Sequence, residues 1–164
     1  MEAETLPLLL ASDAGYGFRS RFSDLFTKNR NGKAVLSLPK NAQPLEPLVL
    51  SSSEKDLLAA VTNEGRLLIF PVAELPELSR GKGNKIIQIP PTRAKKREEL
   101  LIHLCVLAAG DQLVIHSGKR HLTLKPGNLA DFSGPRGRRG RKLPRGFRNV
   151  DRLSVVLSAQ KNLL

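Results

Sequence analysis

The chain has 164 residues, with 27 Lys and Arg against 15 Asp and Glu, for a formal net charge of +12. That length supports one domain with its own core, and that charge asks for a polyanion: nucleic acid, an anionic membrane surface or an acidic protein. A single Cys, Cys105, excludes an internal disulfide or a Cys-based zinc site, and 1 Tyr, 6 Phe and no Trp leave few platforms for stacking single-stranded bases, so duplex backbone contact is favoured.

The N-terminal Met1-Glu-Ala-Glu is acidic and unlike a signal peptide. No apolar run approaches the roughly 20 residues that cross a bilayer, so the expectation is a cytoplasmic protein with no membrane partner. The first repeated unit begins with an apolar strand from Leu8, turns at Asp13-Ala-Gly15 and returns through Tyr16-Gly-Phe18. A segment ending in Leu25 follows, then a basic loop around Asn29-Arg-Asn-Gly-Lys33 and a strand running to Pro39. The second unit repeats this order: Leu57 to Thr62, a turn at Asn63-Glu-Gly65, a return to Phe70, a segment ending in Leu75, the loop Arg80-Gly-Lys-Gly-Asn-Lys85 and a strand to Pro90. Lys95-Lys-Arg-Glu-Glu99 has helical composition, whereas Leu101 to Leu107 reads as a strand, with Cys105 a small hydrophobe inside it. The third unit runs from Gln112 to a turn at His116-Ser-Gly118, returns to Leu124, passes Leu129 and enters Arg136-Gly-Arg-Arg-Gly-Arg141.

The turn glycines at 15, 65 and 118 lie about 50 residues apart, the period of a propeller-like blade. Glycine supplies the positive φ that such hairpin turns require. The expected fold is all-β, with about three blades of about four strands each in a partial or open ring. The expected boundaries are 5–50, 51–98 and 99–157, with 158–164 as a tail and the whole of 1–164 as one DNA-binding repeat domain.

Cations recur at the same place in each unit. They are Lys28, Arg30 and Lys33 with nearby Arg19 and Arg21 in the first; Arg80, Lys82 and Lys85 in the second; and Arg136, Arg138, Arg139, Arg141, Lys142 and Arg145 in the third, where Lys119 and Arg120 also occupy the hairpin turn. Glycine between cations lets backbone approach a phosphate, and Arg grips neighbouring oxygens in a fork. Recurrence in register predicts a track along one rim for a duplex. On this reading Arg136, Arg138, Arg139 and Arg141 are exposed loop residues whose loss leaves the fold intact, and changes in the Glu98-Glu99 segment leave the salt slope of binding alone. The three His lack nearby acidic clusters, so no metal site is expected, and no nucleophile constellation or nucleotide-phosphate loop is present.

Ser12-Asp-Ala-Gly-Tyr-Gly-Phe18, Asn29-Arg-Asn-Gly-Lys-Ala34, Phe70-Pro-Val72, Leu75-Pro-Glu-Leu-Ser-Arg-Gly-Lys-Gly-Asn-Lys-Ile-Ile87, Gly118-Lys-Arg120 and Gly137-Arg-Arg-Gly140 together resemble the C-terminal domain of bacterial topoisomerase IV A subunits. The resemblance extends from about Leu8 to Leu157 and is most specific over Leu75–Ile87. It implies a β-pinwheel that binds and bends duplex DNA. It further implies a role in a type IIA topoisomerase that decatenates and relaxes DNA, with nucleoid association. The catalytic Tyr domain would lie elsewhere in the A subunit, with the ATPase on the B subunit partner. This chain would then have no catalysis, cofactor or small-molecule substrate of its own; ATP and magnesium belong to other parts of the enzyme. Only degenerate forms of the gyrase Gln-Arg-Arg-Gly-Gly-Lys-Gly box occur, at Arg80–Lys85 and Arg136–Lys142, which favours the topoisomerase IV side over the equivalent gyrase domain. The competing readings are a free-standing protein for structured RNA or the ribosome, and a propeller-type module for acidic proteins.

Overall fold

The computed structural model of the chain describes residues 7–21, 36–51 and 55–157. Each repeat contains a hairpin. β1 (Pro7–Ala11) pairs with β2 (Tyr16–Arg21), β4 (Leu57–Thr62) with β5 (Arg66–Pro71), and β8 (Gln112–Ser117) with β9 (Arg120–Leu124), all antiparallel. Gly15, Gly65 and Gly118 sit in the turns at φ of 92°, 77° and 60°. At Gly65 a Cβ would also stand 2.6 Å from the Arg148 backbone, so glycine is required there twice over.

A third strand returns beside the first strand of each hairpin: β3 (Leu48–Val49) on β1, β7 (Leu101–Leu107) on β4, and β11 (Arg152–Val156) on β8. The fourth strand comes from the following repeat. β6 (Asn84–Lys85) pairs with β2, and β10 (Arg141–Lys142) pairs with β5. The sheets are therefore β3-β1-β2-β6, β10-β5-β4-β7 and the three-stranded β11-β8-β9. The expected four strands per blade hold in the first two. The third has three strands among the described residues. The architecture is nearly all β, built from small antiparallel sheets in an open arrangement. Helix is confined to short pieces such as Pro91–Lys95 and Pro126–Leu129.

The middle sheet is buried on both faces. Leu58, Ala60, Leu68 and Phe70 join Leu9, Ile86 and Ile87 in one core, while Ala59, Val61, Leu67 and Ile69 join Leu113, Ile115 and Leu143 in a second. This explains why β4 and β5 read as continuous apolar runs without a period of two. Each fully buried Leu, Ile or Phe contributes roughly 1.5–3 kcal/mol of transfer free energy. Ile86 and Leu143 directly follow the exchanged strands and are fully buried, so they lock those strands onto the neighbouring sheet.

Cys105 lies in β7 opposite Ala59. Burial, followed by the charge of Asp111, pushes its thiol up to about 11, which keeps it protonated at neutral pH.

Candidate nucleic-acid interface

The basic loops of the second and third repeats reach the sheet edges by the same path. In the second, Leu75–Leu78 runs beside β2, with Arg19 N–H donating to Pro76 O and Leu78 N–H to Arg19 O, at 2.8 Å each. In the third, Ser133-Gly134 runs beside β5, and Gly134 N–H donates to Ile69 O at 3.1 Å. Each chain then turns through glycines of positive φ and delivers its two-residue strand. Gly83 packs so tightly that a Cβ would fall 2.0 Å from Gly17 O.

The two loops touch one another. Arg136 Nη1 donates to Lys85 O at 2.7 Å, Gly137 N–H to Ile86 O at 3.1 Å, and Gln88 N–H to Arg138 O at 2.9 Å. The anticipated cations of these loops are thereby brought together on the outer edges of the first two sheets.

The side chains have different fates. Arg80, Lys85, Arg138, Lys142 and Arg145 are exposed, and among the described residues their side chains make no hydrogen bond or ion pair. Lys82 is exposed with Nζ 4.6 Å over the Tyr16 ring, and Arg141 is exposed while Nη1 donates to Asp131 O at 3.1 Å. Lys119 and Arg120 are exposed at the β8–β9 turn. Arg21 pairs with Glu77 at 2.7 Å on the surface. Lys28, Arg30 and Lys33 lie outside the described residues.

Three of the anticipated contacts are bound inward. Arg19 is half-buried, and its Nε donates to Leu75 O at 2.8 Å. Arg136 is half-buried and committed to Lys85 O. Arg139 Nη1 donates to Gln88 O and to Glu99 Oε2, both at 2.8 Å. Glu99 is fully buried and also pairs through Oε1 with Arg93 Nη1 at 3.4 Å. The expectation that the arginines at 136–141 are all exposed is therefore corrected at Arg136 and Arg139, which are half-buried, and a buried carboxylate pairs with Arg139. Glu98 and Glu99 both pair with Arg93, and Glu99 pairs with Arg139 as well. Arg93 extends the network to Glu64 in the β4–β5 turn, and Arg97 binds the buried Asp13 in the first hairpin turn at 2.9 Å.

Known proteins resemble this chain in sequence and fold. The family described as "DNA gyrase C-terminal domain, beta-propeller" matches residues 7–43 and 56–104, just over half of the chain. The chain belongs to this family. It is 54% identical over 152 residues to the A subunit of DNA topoisomerase 4 from Pseudomonas aeruginosa, covering 93% of this chain and 20% of that protein. It is 48% identical over 155 residues to the Escherichia coli K12 protein of the same name, covering 94% of this chain and 20% of the relative. The chain thus spans about a fifth of these relatives. Among solved structures, the E. coli ParC C-terminal domain superposes with a TM-score of 0.87 at 47% identity, over 96% of this chain and 63% of that one. A DNA gyrase A C-terminal domain superposes with a TM-score of 0.71 at 16% identity, over 93% of this chain and 50% of that one, a likeness of fold alone. The chain is the counterpart of the C-terminal domain of a topoisomerase IV A-type polypeptide, not of its catalytic domain. No described helix is long and apolar enough to cross a membrane.

Proposed function

We propose that this chain binds and bends duplex DNA as the C-terminal domain of a topoisomerase IV A subunit, presenting DNA for strand passage in decatenation and relaxation. The B subunit would be reached through the rest of the A subunit, in the setting of the cytoplasmic nucleoid. The observation that carries the reading is the convergence of two glycine-built basic loops on adjoining sheet edges, with Arg80, Lys82, Lys85, Arg138, Arg141 and Lys142 turned outward. Lys119, Arg120 and Arg145 extend this set, and Lys28, Arg30 and Lys33 are its counterparts by sequence in the first repeat. Arg19, Arg136 and Arg139 serve the reading by holding the loops, and Arg21 holds Glu77 beside them. The repeat boundaries at 5–50, 51–98 and 99–157 belong to the same proposal, with exchanged strands crossing them.

Backbone contact releases condensed counterions, so affinity falls steeply with salt and depends little on base sequence. Six outward cations correspond to a log–log slope of about −5. Titration of a duplex of tens of base pairs across a salt series, with structured RNA at equal salt as competitor, tests this. The expected result is the steep slope with duplex preferred. Preference for structured RNA overturns the DNA reading, and circularisation of short duplexes without enhancement overturns bending.

A further inference from the structure

The third-repeat loop poses an electrostatic problem. Arg136, Arg138, Arg139, Arg141 and Lys142 lie within seven residues, and like charges this close oppose a fixed loop geometry. The chain answers it with one fully buried carboxylate. Glu99 stands just before β7, accepts from Arg139 and Arg93, and has no exposure to solvent. Arg139 is held from a second side by Gln88 O, and Gln88 in turn donates its N–H to Arg138 O. A residue bound on two sides by the body of the domain, with its side chain 29% exposed, is an anchor for its neighbours. Those neighbours are the outward Arg138 on one side and, past Gly140, the strand carrying Arg141 and Lys142 on the other.

We infer that Glu99 is a positioning residue for duplex binding: through Arg139 it fixes the third-repeat loop so that Arg138, Arg141 and Lys142 meet phosphates together. This rests on the reading of the loops as DNA contacts. It makes a prediction of opposite sign to simple charge. Removing an acid from a DNA-binding domain raises its net charge and tightens binding through the field alone. Losing Glu99 releases the loop and weakens binding instead.

Glu99→Gln and Glu46→Gln make the same charge change, and Glu46 is an exposed residue of the first repeat. Duplex affinity and salt slope would be measured for both, alongside urea melting to check folding. The expected result is binding weakened about tenfold by Glu99→Gln, with a slope flatter by about one to two units, and unchanged or slightly tighter binding for Glu46→Gln. Arg139→Lys keeps the net charge but loses the planar fork, so it covers the case in which Glu99→Gln does not fold. It should weaken binding about fivefold while still unfolding cooperatively in urea, with the slope again flattened. A wild-type chain that binds duplex while folded Glu99→Gln binds as well or better overturns the positioning role alone. So does Arg139→Lys with wild-type affinity and slope. A wild-type chain that fails to bind duplex overturns the DNA reading and this inference with it.

Discussion

The loops of the second and third repeats carry the same composition, glycines between cations, and only the third adds a buried ion pair to its backbone contacts. Arg80-Gly-Lys-Gly-Asn-Lys85 is held by backbone: Gly83 lies against Gly17 with no room for a Cβ, and no cation of that loop forms an ion pair among the described residues. Arg136-Gly-Arg-Arg-Gly-Arg141 has more room, with a Cβ on Gly140 falling 3.0 Å from Leu67 O, and its backbone bonds to Ile86 and Gln88 are joined by charge through Arg139 and the buried Glu99. A run of cations is therefore not a census of ligand contacts. In the denser loop some of the charge is committed to the fold itself.

If the second-repeat loop is held by backbone, its glycine should be the more sensitive of the two. Gly83→Ala combines a Cβ clash with backbone at a φ of 82°, so a loss of about 3 kcal/mol or more is expected in urea unfolding. Gly140→Ala, at a φ of 79° with a looser contact, should lose about 1–2 kcal/mol. Equal losses would mean that the two loops are held alike.

Charge should matter in the third-repeat loop. Arg139→Ala leaves Glu99 buried with only the longer Arg93 contact, and should cost about 2 kcal/mol after allowing for partial exposure of the arginine. Arg138→Ala, one residue away and outward, should change stability by less than about 0.5 kcal/mol. Matching midpoints for the two variants would remove the distinction between anchor and contact. A smaller effect is expected at Tyr16. Tyr16→Leu removes the ring beneath Lys82 and should cost about 0.5 kcal/mol, read in the same melts, whereas Tyr16→Phe should cost less.

The hairpins were legible because glycine turns and apolar flanks are local signals, and β1, β2, β4, β5, β8 and β9 lie where those signals put them. Leu101–Leu107 was legible as a strand from its apolar run. Helical composition at Lys95–Glu99 misled slightly: the helix begins earlier, with Pro91 preset for its first turn, and ends at Lys95. Strand exchange was not legible. Asn84-Lys85 and Arg141-Lys142 are two residues long, too short to carry a period, and pair with strands one repeat away. The direction of each arginine was hidden for a related reason. Arg138 and Arg139 are adjacent and alike, and only the position of Glu99, 40 residues distant, separates them. The adjacent Glu98 and Glu99 gave no sign that one is half-exposed and the other sealed, since the partner that distinguishes Glu99, Arg139, lies in the third-repeat loop.

Outward cations on two anchored loops hold the duplex in this reading, and the salt slope of duplex affinity reports on them directly. It would be measured for the wild-type chain and for Arg80→Ala, Lys85→Ala, Arg138→Ala and Lys142→Ala combined, with folding checked by urea melting. The four side chains make no hydrogen bond or ion pair among the described residues, so the fold should persist. The slope should then fall from about −5 to about −1 to −2, with affinity lost about equally for every duplex sequence. A folded quadruple variant that keeps the wild-type slope and affinity would contradict the account.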